Sequence, residues 1–137
     1  MTRLNLSAHF TSDEAACKCC GVYHVDQAIA LAQRLERVRD YAGPIIVRSW
    51  HRCVHQNRRV GGVVNSAHLR SLAVDIFCAT NHHRFLLVSA LYAAGFTRIG
   101  VGESIIHADI DSSLPPNVLW HYYDSLDHKA GIPAPVL

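Results

Sequence analysis

No apolar run in this chain approaches the roughly 20 residues of a membrane span. The opening stretch, Met1 to Phe10, lacks the continuous apolar core of a secretory leader. A chain made in the cytoplasm without a signal peptide is therefore expected. Charge of one sign is also scarce. The formal net charge is only +2, too small for the field that holds nucleic acid or a membrane surface. Neither nucleic-acid binding nor stable membrane association is expected. Internal repeats, linkers and low-complexity blocks are absent, and 137 residues suit a single domain with one core. The cysteines are five, Cys17, Cys19, Cys20, Cys53 and Cys78. An odd count in an unexported chain argues against a disulfide framework. Cys17-Lys18-Cys19-Cys20 is dense enough for a structural metal, with Cys53 or His24 as a further ligand. The plainer alternatives are free thiols, or a pair near Cys53 that oxidises.

What the chain does have is apolar content and histidine. Half of its residues are hydrophobic, which is a globular composition, and ten are His. Histidine is the commonest metal ligand and the acid/base of neutral pH. Thr11 to Glu14 reads as a capping box. Asp26 is the expected cap of an amphipathic helix over 27–42, with Ile29, Ala32, Leu35, Val38 and Ala42 on one face. Ile45-Ile46-Val47 reads as a short buried strand, His55 to Val60 as a helical turn, and Leu72 to Phe77 as a second strand. Asn81 is the expected cap of a helix over 82–94, with Phe85, Val88, Leu91 and Tyr92 as its apolar side and Gly95 as its stop. Thr97 to Val101 and Ser104 to Ile110 form a hairpin through Gly102-Glu103. Val118 to Tyr123 is a last strand. The core then spans about 5–123, and the Pro- and Gly-rich tail, 124–137, is loosely packed. The fold class is α+β: a small, mostly antiparallel sheet with flanking helices.

His68 lies where a polar, glycine-containing loop passes into the apolar strand, and Asp75 lies inside that strand. His107 sits in a separate apolar strand. Two His and one carboxylate, with one position open to water, are the ligand set of a catalytic zinc site. The alternatives are a capped loop, a buried Asp that satisfies backbone donors, and a core His. Charged groups beside apolar strands are costly unless paired, and three of them together favour a shared cation.

The ordered motifs Ser49-x-x-Arg52-Cys53, His55-x-Asn57, Val60-Gly61-Gly62, Asn65-Ser66-x-His68, Ala73-x-Asp75-Ile76 and Ile106-His107-x-Asp109, with Gly100 and Trp120, resemble the M15 zinc peptidases. The resemblance is to the D-alanyl-D-alanine carboxypeptidase-like branch common in phages and prophages, whose fold is shared with the hedgehog signalling domain. It covers about residues 5–123. It implies that His68, Asp75 and His107 bind Zn2+. It also implies that Arg52 holds a substrate carboxylate or polarises the scissile carbonyl, the alternative being a surface ion pair, with Ser66 on the substrate side; Trp120, on the expected last strand, either walls the cleft on the substrate side or belongs to the core. Asp109 shares a strand face with His107 and stands as general base or as the carboxylate that orients a ligand. Glu103 is the reserve base. Two departures stand out. The family's usual Gly in His-x-x-Gly-x-Ala-x-Asp is Ser71 here, and a positive φ there would strain it. The usual Gly-Tyr before the Arg is Trp50-His51, which makes His51 a polar group at the site mouth or an exposed side chain.

The implied function is a monomeric zinc peptidase. It would cleave peptidoglycan stem peptides as a D,D-carboxypeptidase or an endopeptidase, without a separate wall-binding domain. It would reach the wall through phage-mediated release or as part of a virion. The alternative is a non-catalytic, zinc-stabilised structural or binding domain of a virion or host complex.

Overall fold

The computed structural model describes residues 2–122. The expected loose tail, 124–137, and Tyr123 of the expected last strand lie outside the described residues. The elements run α1 (Ser12–Ala15), α2 (Val25–Ala42), β1 (Val47–Ser49), α3 (Val54–Arg59), a 3-10 turn (Ala67–Arg70), β2 (Ala73–Phe77), α4 (Asn81–Ala93), β3 (Arg98–Val101), β4 (Ile105–Asp109) and β5 (Val118–His121). The strands form one five-stranded sheet in the order β1-β2-β4-β3-β5. Its pairs are antiparallel except β3 with β5, which run parallel. This is the expected α+β class with a mostly antiparallel sheet.

Alternation along the strands divides the sheet into two faces. Val74 and Ile76 of β2, Ile106 and Ala108 of β4 and Ile99 of β3 are buried in the core. There they join Leu31, Leu35 and Val38 of α2 and Leu87, Ala90 and Leu91 of α4. The opposite phase places Asp75, His107 and Asp109 together. Register then aligns one row across all five strands: Ser49 opposite Asp75, Asp75 opposite His107, His107 opposite Gly100, and Gly100 opposite Trp120. A neighbouring row sets Ala73 opposite Asp109 and Asp109 opposite Arg98. Such register is strongly specified because a one-residue slip would turn Val74, Ile76, Ile106 and Ala108 out of the core.

Several local expectations hold. Glu14 accepts from the Thr11 backbone N–H at 3.0 Å, as in a capping box. Gly102 closes the β3–β4 hairpin through a 2.8 Å bond to the Ile105 carbonyl. Gly95, at φ 87°, ends α4 in the left-handed conformation.

Others are corrected. Helix α2 begins at Val25, and its cap is His24 rather than Asp26. A tertiary bond sets that boundary, because the His24 N–H donates to Ser71 Oγ at 2.9 Å. The cap of α4 is Thr80, whose hydroxyl accepts from the His83 N–H at 3.0 Å; Asn81 is already helical. Phe85 and Tyr92 point outward, 68% and 79% exposed, while Leu87, Ala90 and Leu91 are buried. Helix α4 carries apolar residues on more than one stripe, and the stripe containing small Ala90 is the one that packs inward. Strand β1 lies two residues later than expected. Ile46 is exposed, although its carbonyl accepts from the Phe77 N–H at 2.8 Å.

Candidate metal centre

The carboxylate of Asp75 stands between two imidazoles. Its Oδ1 lies 3.2 Å from His68 Nε2 and 3.2 Å from His107 Nδ1. The donor atoms of His68, Asp75 and His107 all lie within 4.8 Å of one another, and all three residues are buried. The outer nitrogen of each imidazole is fixed by a partner. His68 Nδ1 is 2.6 Å from the Trp50 carbonyl, an acceptor only, so this nitrogen carries the proton and neutral His68 turns its Nε2 lone pair toward Asp75. His107 Nε2 is 2.8 Å from Asp109 Oδ2, so the same reasoning turns the Nδ1 lone pair of neutral His107 inward. Two nitrogen lone pairs and a carboxylate oxygen then face one point, an arrangement that repels unless a cation sits among them. Ligands about 2.0–2.1 Å from a tetrahedral zinc stand about 3.3 Å apart, and the two 3.2 Å separations at Asp75 match that spacing. Oxygen and imidazole donors in this number fit zinc, and the three residues can hold it.

The electrostatics agree with such a role. Burial pushes Asp75 up, but the two imidazoles in contact with it, which are free to take up protons while no metal is bound, bring it well below the ordinary carboxylate range. His68 is lowered, chiefly by burial. Burial also pushes His107 down, yet the carboxylates of Asp109 and Asp75 on either side favour a protonated ring in the absence of metal, and they outweigh burial and raise it. A histidine wedged between two carboxylates is a site that attracts positive charge.

Arg52 completes the carboxylate's environment. Its Nη2 donates to Asp75 Oδ2 at 2.7 Å, its Nε to Ser49 Oγ at 3.0 Å, and its Nη1 to Asn57 Oδ1 at 3.3 Å. This is a buried ion pair, with the two side chains 14% and 11% exposed. Gly62 permits the bracket, because a Cβ there would lie 2.0 Å from Asn57 Oδ1 and 3.1 Å from Arg52 Nη1. Asp109 is tied on both oxygens. Oδ2 meets His107, and Oδ1 accepts from Arg98 Nε at 2.8 Å and from the Asp111 N–H at 3.2 Å. These contacts fix the carboxylate in place beside His107.

The cluster forms the floor of a cleft of about 670 Å³, walled by Arg52, Val63, Ser66, Arg98, Trp120 and Tyr122 among others. Trp120 leans over His107, with ring centroids 5.2 Å apart. Gly100 makes that possible, since a Cβ there would stand 2.5 Å from Trp120 Nε1. Ser66 lines the cleft, and its hydroxyl accepts from the His68 N–H at 3.2 Å, which holds the 3-10 turn. Burial pushes the Tyr122 phenol up to about 12. Glu103 is exposed at the β3–β4 turn and is not part of the cleft wall.

Ser71 takes up the strained conformation that its replacement of glycine puts at issue: φ is 61° and ψ 20°. Its buried hydroxyl accepts from the His24 N–H and lies 2.8 Å from His51 Nδ1, while its carbonyl accepts from Trp50 Nε1 at 3.0 Å. His51 is therefore neither at the mouth nor exposed. It is 5% exposed behind the site, against Ser71 and the His24 ring. Serine is tolerated because these bonds offset its backbone strain.

Four residues have roles at the site that the motifs did not assign to them. Trp50 sets the His68 tautomer through its carbonyl, Arg98 ties Asp109, and Asn57 with Gly62 brackets Arg52. Arg98 carried a signal, being a charged residue in an otherwise apolar strand, two positions before Gly100. The Trp50 carbonyl carried none, because any residue has one.

Among the described residues no helix is long and apolar enough to cross a membrane. No curated protein sequence matches the chain. The sequence model of the Peptidase M15 family matches residues 8–111, a span that takes in Arg52, His68, Asp75, His107 and Asp109. With that match over most of its length, the chain belongs to the M15 peptidase family.

Proposed function

We propose that this peptidase is zinc-dependent and hydrolyses amide bonds in peptidoglycan stem peptides, as a D,D-carboxypeptidase or an endopeptidase. The observation that carries the reading is the convergence of His68 Nε2, His107 Nδ1 and Asp75 Oδ1 on one point in the floor of an open cleft. A zinc ion bound there supplies an activated water of pKa near ~7 and a Lewis acid for the scissile carbonyl. The protein's own groups do the rest. Trp50 and Asp109 hold the two imidazoles in the ligating tautomer. Arg52 places positive charge beside Asp75, where it receives a substrate carboxylate or the oxygen of the scissile carbonyl. Trp120 walls the cleft against the peptide. Motif resemblance to the D-alanyl-D-alanine carboxypeptidase-like branch supports the substrate class and a phage or prophage origin. On this reading the chain acts as a monomer. It is made in the cytoplasm and meets the wall after phage-mediated release or on a virion.

One observation favours a second reading, a zinc-stabilised binding domain without turnover. The carboxylates lining the cleft among the described residues are Asp75 and Asp109, and both are engaged. Digestion of purified peptidoglycan by wild type and His68→Ala, with zinc measured on both and products read by mass spectrometry, separates the readings. Fragments from the wild type alone, together with bound zinc, support hydrolysis, and their masses name the bond. Bound zinc with intact substrate supports the binding domain.

A further inference from the structure

A second group of metal-type ligands lies outside the cleft. The Sγ atoms of Cys17, Cys20 and Cys53 lie within 4.8 Å of one another. Cys17 and Cys20 come from one tight turn, closed by a 2.7 Å bond from the Gly21 N–H to the Cys17 carbonyl and a 2.9 Å bond from the Cys17 N–H to the Val22 carbonyl. Gly21, at φ 75°, reverses the chain there. Cys53 arrives from the far end of β1, as the residue that caps α3. Cys19, exposed in the same turn, neighbours these three and lies outside their 4.8 Å group.

Two of the sulfurs, those of Cys17 and Cys53, are set up as acceptors. The Cys53 N–H donates to Cys17 Sγ at 3.4 Å, and the Gln56 N–H donates to Cys53 Sγ at 3.3 Å. Backbone donors directed at sulfur stabilise thiolate over thiol. A disulfide would consume two of these sulfurs and leave the others beside it. A thiophilic cation uses all of them.

We propose that Cys17, Cys20 and Cys53, with Cys19 as the fourth sulfur, form a second metal site of all-thiolate type that takes a structural Zn2+. Four sulfurs around a tetrahedral ion make a closed site without a position for water, suited to structure rather than catalysis. Its place in the fold gives its purpose. Cys53 directly follows Arg52, and the preceding residue, His51, is tied by its N–H to the Ala15 carbonyl at 3.0 Å. The ion would clamp the turn after α1 onto the segment that carries Arg52 to Asp75. Nothing in this site depends on the reaction at His68.

The test measures zinc per chain and intact mass on full-length protein purified in mild reductant, for wild type, His68→Ala, Cys20→Ser and Cys53→Ser. Each protein is also reconstituted with Co2+. About two zinc ions are expected on the wild type and about one on each variant. The thiolate-to-cobalt charge-transfer band should survive in His68→Ala and be lost in Cys53→Ser. A wild type without that band, or one whose mass is lower by the two hydrogens of a Cys17–Cys53 or Cys20–Cys53 disulfide, overturns the proposal. So does a His68→Ala protein that holds no zinc at all. If the cysteine variants do not fold, the band in the wild type and in His68→Ala decides the matter.

Discussion

Asp75 and His107 face each other directly across β2 and β4, with Oδ1 3.2 Å from Nδ1. Each is held from behind by a charged partner: Arg52 donates to the outer oxygen of Asp75, and Asp109 accepts from the outer nitrogen of His107. The pair therefore has fixed orientation before any ligand arrives, which is what a preorganised metal site requires.

Adding zinc to the metal-free protein should raise its thermal stability. For a chain of this size, zinc at a hundredfold its Kd corresponds to a rise of about 5–10 °C per site. In His68→Ala the rise should be smaller, because one site is lost. Differential scanning fluorimetry reads both, and equal rises would remove His68 from the ligand set.

Asp109→Asn distinguishes the two roles of this residue. An amide cannot serve both His107 and Arg98 as the carboxylate does, so zinc affinity should fall about 10- to 100-fold and activity with it, with recovery at high zinc. Unchanged zinc affinity with kcat lowered about 10²- to 10⁴-fold and no recovery would instead make Asp109 the base.

Ser71 is a balance of strain and bonding. Replacement by glycine relieves about 1 kcal/mol of left-handed strain but orphans the His24 N–H and the His51 ring, at about 1–3 kcal/mol each. Ser71→Gly should therefore be destabilising by about 1–5 kcal/mol. Ser71→Ala, which keeps the strain and loses the bonds, should be worse. Urea denaturation measures both, and a glycine variant more stable than wild type would contradict the argument.

His51 makes stability depend on pH. Burial, followed by the nearby His24 and His68, lowers it from 6.5 to about 4. The folded state thus favours the neutral ring. Its contribution is complete above pH 6.5 and is lost as pH falls from 6.5 toward 4, where the unfolded chain binds the proton first. His51→Gln should flatten the stability profile across that window. An identical slope in the variant would show that other groups produce it.

Gly100→Ala places a Cβ 2.5 Å from Trp120 Nε1 and 2.7 Å from Tyr122 Cε2, so both rings must move. The fold should survive, since both residues lie at the cleft, while kcat/KM on a peptide substrate falls about tenfold to ~10²-fold. Trp120 emission should shift to the red. Unaltered emission and kinetics would remove Trp120 from the substrate wall.

Much of this was legible in the chain. Apolar runs marked β2 and β4, Gly102-Glu103 marked the hairpin, and the capping box at Thr11 marked α1. The departure at Ser71 pointed to a strained position before its φ was known. Helix caps were less legible, because Asp26 and Asn81 are good capping residues one or two positions from the residues that serve. The inward face of α4 was half legible: Leu91 and Val88 pack on the core as expected, while Phe85 and Tyr92 point outward and Leu87 and Ala90 take the buried places.

By itself the sequence determined the class of fold, the family and the candidate ligands His68, Asp75 and His107, because residue type and order carry that information. The tertiary structure alone decided what holds each of them. It turned His68 through a backbone carbonyl, tied Asp109 to Arg98 and buried His51 behind Ser71. It also drew Cys53 to Cys17 and Cys20. These are contacts between residues distant in the chain, and sheet register and loop packing set them rather than local preference.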